Sequence, residues 1–287
     1  MIYWLDLIIL VLILGAAASV ISYLSEEAGI IHVAGAAIMG IGSYTSVLAV
    51  MRLNVPVFLA LISTILTGFI CGVILYFLTR RLTAAYLALV TLAFAVIIYG
   101  IINNWIWVTE GPMGISAVPS LFRVRYLEFL LCLILAGVIS ILIKYVTGIS
   151  FGSRVRALRD DELLSEDLLL NPQKTRFILF TVSSCILSLL GGIYAHHLRF
   201  IDPSSFSIKE SISLLAMGLV LPISLPVRGL GGALLFIFIP ELIRFIGLPT
   251  TIGAQLRQAI FGLLLLIVIW NGKLSISKFK EKVKSNA

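Results

Sequence analysis

Nine apolar runs, each close to one bilayer crossing in length, follow one another near residues 5–24, 30–51, 56–79, 83–105, 126–147, 175–197, 211–227, 229–247 and 255–270. A crossing helix needs about 20 apolar residues. A backbone in lipid must satisfy its own N–H and C=O groups, which a helix does. The pattern predicts an all-α integral membrane protein, a polytopic helical bundle of about nine spans, with eight to ten compatible. Hydrophobic residues make up 60% of the 287 and charged residues 12%, with a mean hydropathy of +1.11. Soluble domains carry about a quarter charged residues, so this chain has no polar shell to offer water and no room for a separate soluble domain. Gly or Pro breaks the second, seventh and eighth runs, which marks them as candidates for half-helices or re-entrant segments.

The opening MIYWLD has no Lys or Arg ahead of its apolar run and no small-residue cleavage site, so the first run reads as a retained span. Cytoplasmic flanks of spans are enriched in Lys and Arg. With nine spans and a cytoplasmic C-terminus, fourteen basic residues fall inside and seven outside, accounting for all 21. That bias favours an outside N-terminus and a cytoplasmic C-terminus in a plasma membrane. The net charge of +7 is then topological; a nucleic-acid surface would gather it on one soluble face. The basic tail, 271–287, reads as a solvated flank. Cys71, Cys132 and Cys185 lie inside apolar runs, without metal or disulfide spacing, and read as small core residues.

The longest polar interruption, about 148–174, reads GISFGSRVRALRDDELLSEDLLLNPQK. Leu158, Leu163, Leu164 and Leu168 recur at helical spacing among charges of both signs, Arg154, Arg156 and Arg159 facing Asp160, Asp161, Glu162, Glu166 and Asp167. This predicts a short amphipathic helix along the membrane face. Pro172 is expected to end it, because the residue before a proline avoids the helical region.

RALRDDELLSEDLLLN resembles the cytoplasmic loop of ABC-importer permeases for branched-chain amino acids, which reads R-A-x-R-D-N-E-x-A-A-E-x-x-G-I-N. Arg156, Ala157, Arg159, Asp160, Glu162, Glu166 and Asn171 match, while Asp161, Leu164, Ser165 and Leu169 depart from it. Four further segments resemble that family in order: AGIIHVAGAAIMGIGSYTS, YLALVTLAFAVIIYGIINNW with TEGPMGIS, GGIYAHHLRFIDPSSFS, and PELIRFIG. The resemblance covers about residues 5–272 and is closest to the second, M-type permease of the pair. His32, Ala34 and Gly35 stand where the family has Ser, Gly and His, and LPISLPV replaces its G-G-x-G-S near the seventh span.

The resemblance implies a single permease domain over 1–287 that works by alternating access. Its implied partners are two cytoplasmic ABC ATPase subunits, a second homologous permease, an extracytoplasmic solute-binding protein and the bilayer. Segment 148–174 would be the coupling lever, carried by Arg156, Arg159, Asp160, Glu162, Glu166 and Asn171. The implied solutes are leucine, isoleucine and valine, with urea and short amides the nearest alternative. The chain has no P-loop and no zinc motif, so ATP hydrolysis would be borrowed and neither metal nor cofactor is expected. The midspan stretches hold almost no ionisable residues, which argues against an ion-coupled secondary carrier. No convergent nucleophile, base or metal set supports a membrane-embedded enzyme.

Several residues carry two readings. Gly35, Gly40 and Gly42, like Gly229, Gly231 and Gly232, fit close helix packing or a broken helix that meets solute; Tyr44 lies in the same stretch. Thr109, Gly111, Gly114 and Ser116 predict tight turns in an outer loop that forms an external gate or meets the binding protein. His32 either lines the path or is packed. His196 and His197, about 100° apart on a helix, are poorly placed to chelate one metal and read as interfacial anchors, as does Glu128. Glu241 and Arg244, three apart, read as an ion pair.

Overall fold

The computed structural model describes residues 2–82, 84–160, 171–221 and 227–244, with Gly262, Leu263 and Leu266. The ninth expected span and the basic tail lie almost wholly outside these residues, as do 161–170 of the loop and most of LPISLPV. The helices are α1 (Ile2–Glu26), α2 (Gly35–Leu53), α3 (Val57–Thr79), α4 (Ala84–Asn104), α5 (Ile106–Thr109), α6 (Arg125–Gly148), α7 (Ser150–Asp160), α8 (Pro172–Leu198), α9 (Ile208–Leu219) and α10 (Arg228–Arg244). Among the described residues six helices are long and apolar enough to cross a membrane: α1, α2, α3, α4, α6 and α8. They correspond to the first six expected spans. The seventh and eighth expected spans are the shorter α9 and α10, of 12 and 17 residues.

About 78% of the most apolar stretch of α1 is buried, and 61% of that of α8, against 28% for α3, α4 and α6. The first two are therefore central and the last three peripheral. On α3 the exposed face carries Phe58, Ile62, Leu66, Phe69 and Phe77, while Leu61, Thr64, Gly68, Cys71, Gly72 and Leu75 turn inward. Spacings of three and four residues place the inward set on one helical stripe.

Two apolar helices in lipid gain nothing from hiding apolar surface, so they associate through close packing and polar contacts. Here α8 is wedged between α2 and α3 by small residues. A Cβ on Gly42 would run into the Ser188 backbone, and one on Gly191 into that of Met39. On the other side Gly68 lies on Ser184 and Cys185, and Gly72 on Thr181. Hydroxyl groups add bonds between helices: Ser43 Oγ donates to the Gly191 carbonyl at 2.6 Å, and Ser188 Oγ to that of Thr64 at 2.7 Å. Such bonds are worth about 0.6 kcal/mol each in membrane proteins. α10 runs antiparallel to α1, with Gly229 against Ser19 and the Tyr3 hydroxyl bonded to Glu241. Gly232 rests on the Met217 backbone of α9. Each of these glycines sits in a close helix–helix contact.

The bundle has two ends. At one lie the start of α1, α5 and a two-stranded antiparallel ladder, β1 (Ile115–Ser116) with β2 (Phe200–Ile201), pairing Ile115 with Ile201 and Ser116 with Phe200. At the other lie the end of α1, the α3–α4 turn, α7 and the start of α8, tied together by Gln173 Nε2 donating to the Arg80 carbonyl at 3.1 Å.

Gly42→Ala is expected to lower the thermal midpoint of the detergent-solubilised protein, since overpacking a tight contact costs about 1–3 kcal/mol. Gly137→Ala, where a Cβ meets nothing within 4 Å, should hold or raise it, alanine being the better helix former by about 1 kcal/mol. Equal midpoints would contradict the wedge.

Candidate functional site

The element expected to act as a lever is helical over Ser150–Asp160. It turns sharply out of α6 at Gly152, whose N–H bonds the Ile149 carbonyl at 2.9 Å; a Cβ there would meet the carbonyls of Val146 and Thr147. Val155 and Leu158 are buried, while Ser153 and Arg154 are exposed, giving the expected two-faced helix.

Two arginines of α7 grip the base of α1. Arg156 Nη1 lies 3.2 Å from Glu27 Oε2 and 3.3 Å from the Thr147 carbonyl. Arg159 Nη1 donates to the Glu26 carbonyl at 2.7 Å, and its stem lies over Gly29, whose φ of +66° admits the turn. Asp160 ends α7, and its side chain, with Glu162 and Glu166, is outside the described residues. Asn171 belongs to the next element: it caps α8, its Oδ1 accepting from the Lys174 N–H at 3.0 Å, with Pro172 at the first helical position. Pro172 therefore opens α8, as its fixed φ favours.

Between α1 and α2 the chain re-enters the bundle without helix. The Ile30 N–H bonds the Leu24 carbonyl at 2.9 Å, and the Val33 N–H bonds Thr91 Oγ1 of α4 at 3.2 Å. Irregular backbone at membrane depth is tolerated where protein buries it. His32 sits in this segment, fully buried and edge-on to Phe180 at 5.8 Å; among the described residues neither ring nitrogen has a hydrogen-bond partner.

Above this segment a small cleft of about 30 Å³, room for little more than water, lies between α1, α2, α8 and α9. Leu14, Ala36, Met39, Leu214 and Met217 form its apolar walls; Tyr194, Ser205 and Glu210 supply its polar groups. Phe206 closes one side. It lies on Gly40 and edge-on to Tyr44 and Tyr194, with centroids 6.3 and 6.0 Å away. Gly40 and Tyr44 thus reach the cleft only through Phe206, a residue the sequence did not single out. Gly42 is turned away, onto Ser188.

The outer-loop candidates form one braced cap. Thr109 Oγ1 donates to the carbonyls of Ile102 and Trp105, at 2.6 and 2.9 Å. Gly111 and Gly114 adopt φ of +57° and +69°, and Gly114 abuts Ile201 and Asp202. Ser116 pairs with Phe200.

His196, His197 and Glu128 are buried, which corrects the interfacial reading; exposures are 0%, 4% and 0%. His196 bridges Ser46 Oγ at 2.8 Å and the Pro119 carbonyl at 2.7 Å. Only a ring N–H can serve that carbonyl, so Nδ1 donates to it and Nε2 is left to accept from the serine. His197 Nδ1 lies 2.9 Å from Glu128 Oε1, and Arg125 joins Glu128 to Asp6 at 3.1 and 3.3 Å. This network ties α1, α6 and α8 together, and the two histidines point to different partners. Glu241 accepts from Tyr3, while the Arg244 side chain is outside the described residues. Among the described residues no three His, Cys, Asp or Glu side chains gather to hold a metal.

Among the described residues, six helices long and apolar enough to cross a membrane, with an amphipathic helix braced at one end, define a multi-pass helical membrane protein. Residues 3–269 match the family described as the branched-chain amino acid transport system permease component, and the chain belongs to that family. It is 26% identical to the high-affinity branched-chain amino acid transport system permease protein LivM of Escherichia coli K12 over 247 residues, covering 75% of this chain and 57% of that protein. It is also 26% identical to the LivM of Salmonella typhimurium over 305 aligned positions, covering 96% of this chain and 70% of that protein. The chain therefore matches between about half and just over two thirds of these relatives' length. No solved structure matches it.

Glu128→Leu is expected to destabilise the protein by about 3 kcal/mol, because it strips a buried partner from both His197 and Arg125. Arg123→Leu, at an exposed site just ahead of α6, should stay within about 0.5 kcal/mol. Chemical unfolding in detergent measures both, and equal effects would contradict a structural role for the network.

Proposed function

We propose that this chain is one permease subunit of an ATP-driven importer of branched-chain amino acids, and that α7 is the element through which ATPase motion enters the membrane. The observation carrying the proposal is the grip of Arg156 and Arg159 on Glu27, the Glu26 carbonyl and Gly29. That junction leads directly into α2, whose Ala36 and Met39 line the cleft, while Leu14 of α1 lines it from the other side. A shift of α7 would therefore be passed to two walls of the cleft at once.

In this reading the α7 end is cytoplasmic and the N-terminus outside, in line with the greater number of basic residues at the α7 end. Two ATPases receive α7 and the segment following it, with Glu162 and Glu166 on their side. A second, homologous permease completes the path. A solute-binding protein docks on the outer cap built from Thr109, Gly111, Gly114 and Ser116, and Phe206 closes the cleft beneath it. The solute assignment draws on the family and on the printed function of the two relatives.

Arg159→Glu tests the lever in vesicles that contain the whole complex. Reversing the charge opposite a carbonyl and two glutamates should leave the spans folded and ATP hydrolysis running, while leucine uptake per ATP falls about ten-fold, a loss of about 1.4 kcal/mol in coupling. Uptake at the parent rate would count decisively against α7 as the transmitting element.

A further inference from the structure

The three peripheral helices each carry an aromatic side chain, more than half exposed, near both ends: Phe58 and Phe77 on α3, Tyr86 on α4 with Trp105 just past it, and Tyr126 and Tyr145 on α6. The two members of each pair stand 19 residues apart, about 28 Å along a helix that rises 1.5 Å per residue. Trp105 belongs to that measure because its N–H still bonds the Ile101 carbonyl at 3.0 Å. Between the members of each pair every exposed side chain is Ala, Val, Leu, Ile or Phe, apart from Asn104 beside Trp105 and Lys144 beside Tyr145. The helices alternate in direction. Phe58, Trp105 and Tyr126 therefore fall at the end of the β1–β2 ladder, and Phe77, Tyr86 and Tyr145 at the α7 end. Exposed cations adjoin both levels, Arg52 and Arg123 at the first, Arg81 and Lys144 at the second. The Arg80 guanidinium lies over the Phe77 ring at 5.3 Å.

The hydrocarbon core of a bilayer is about 30 Å thick. Amphipathic aromatic rings collect at its two interfaces, and Lys and Arg reach past them to the headgroups. A seam between membrane helices uses small residues instead. On α3 those residues, Gly68 and Gly72, turn inward against α8. We propose that the outward stripes of α3, α4 and α6 face acyl chains in the assembled protein, and that the two aromatic levels mark the interfaces of a bilayer whose core is about 28 Å thick. Trp107, 86% exposed and held by Arg52 Nη2 donating to its carbonyl at 2.8 Å, then lies in the headgroup layer just beyond Trp105. Partner subunits are left the remaining faces. The inference rests on the membrane-spanning class alone, and not on the importer reading or its solute.

The test replaces Leu66, Ile97 and Ile134, exposed residues near the midpoints of the three stripes, one at a time with the photo-crosslinker p-benzoylphenylalanine. The protein is reconstituted into vesicles with the subunits that co-purify with it, and illuminated. Mass spectrometry should find lipid adducts at all three positions. A crosslink to polypeptide at any of them, from another chain or another segment of this one, overturns the assignment. The unsubstituted protein supplies a second measurement that holds even where a variant fails to insert. In vesicles with cores of about 22, 28 and 34 Å, its thermal midpoint should be highest at 28 Å and lower by about 3 °C or more in the other two. A midpoint that peaks in the thinnest or thickest bilayer, or that does not vary, overturns the proposal. Uptake is read in neither arm, so failure of the importer reading leaves both results standing.

Discussion

The contact on which the rest of the structure depends is the backbone-to-backbone approach of α8 to α2 and α3. Lipid offers no reward for hiding one apolar helix behind another, so a bundle in lipid holds together where atoms touch closely. Gly42, Gly68, Gly72 and Gly191 remove the side chains that would keep these helices apart. Ser43 and Ser188 then reach carbonyls on neighbouring helices. With α8 fixed in this way, α2 is fixed as well, with Ala36 and Met39 lining the cleft and Gly40 lying against Phe206. The cleft is a by-product of a tight seam on one side of α2 and a wider gap on the other.

The same economy of backbone contacts governs the α1–α2 connection. Residues 29–34 cannot be helical and also reach the start of α2, so their polar groups need protein partners, which Leu24 and Thr91 supply. α7 clamps one edge of this connection through Arg159 on the Glu26 carbonyl, and Phe180 closes on it through His32. A segment without its own hydrogen-bond ladder takes its shape from these neighbours.

The order of the first six long apolar helices was legible because span length and hydropathy are local properties of the chain; of the leucines that predicted an amphipathic helix, Leu158 is buried on α7, while Leu163, Leu164 and Leu168 lie outside the described residues. The glycines at 229 and 232, which marked the eighth run as broken, pack against Ala18, Ser19 and Met217 instead. What could not be read is what depends on distant pairs. Glu128 looked like an interfacial acid because its partners, His197 and Arg125, include one 69 residues away. Asn171 matched a family loop motif, but its position just before Pro172 was a nearer signal, that of a helix cap. Phe206 was one more phenylalanine in a chain with sixteen, and only the fold sets it between Gly40, Tyr44 and Tyr194.

Two glutamates of this chain show how surroundings divide one chemical group into different roles. Glu128 is fully buried and spoken for on both oxygens, by His197 and by Arg125. Such a group is costly to disturb and tolerates no exchange of partner, which suits a brace between helices. Glu210 stands at the start of a short helix, half exposed, with its local capping partner already satisfied by Ser204. Its carboxylate is attracted by the neighbouring Lys209, and among the described residues no buried partner encloses it, so displacing it costs far less than displacing Glu128. The same carboxylate chemistry is thus a fixed brace where two partners surround it and an adjustable charge where its partner is a solvated lysine.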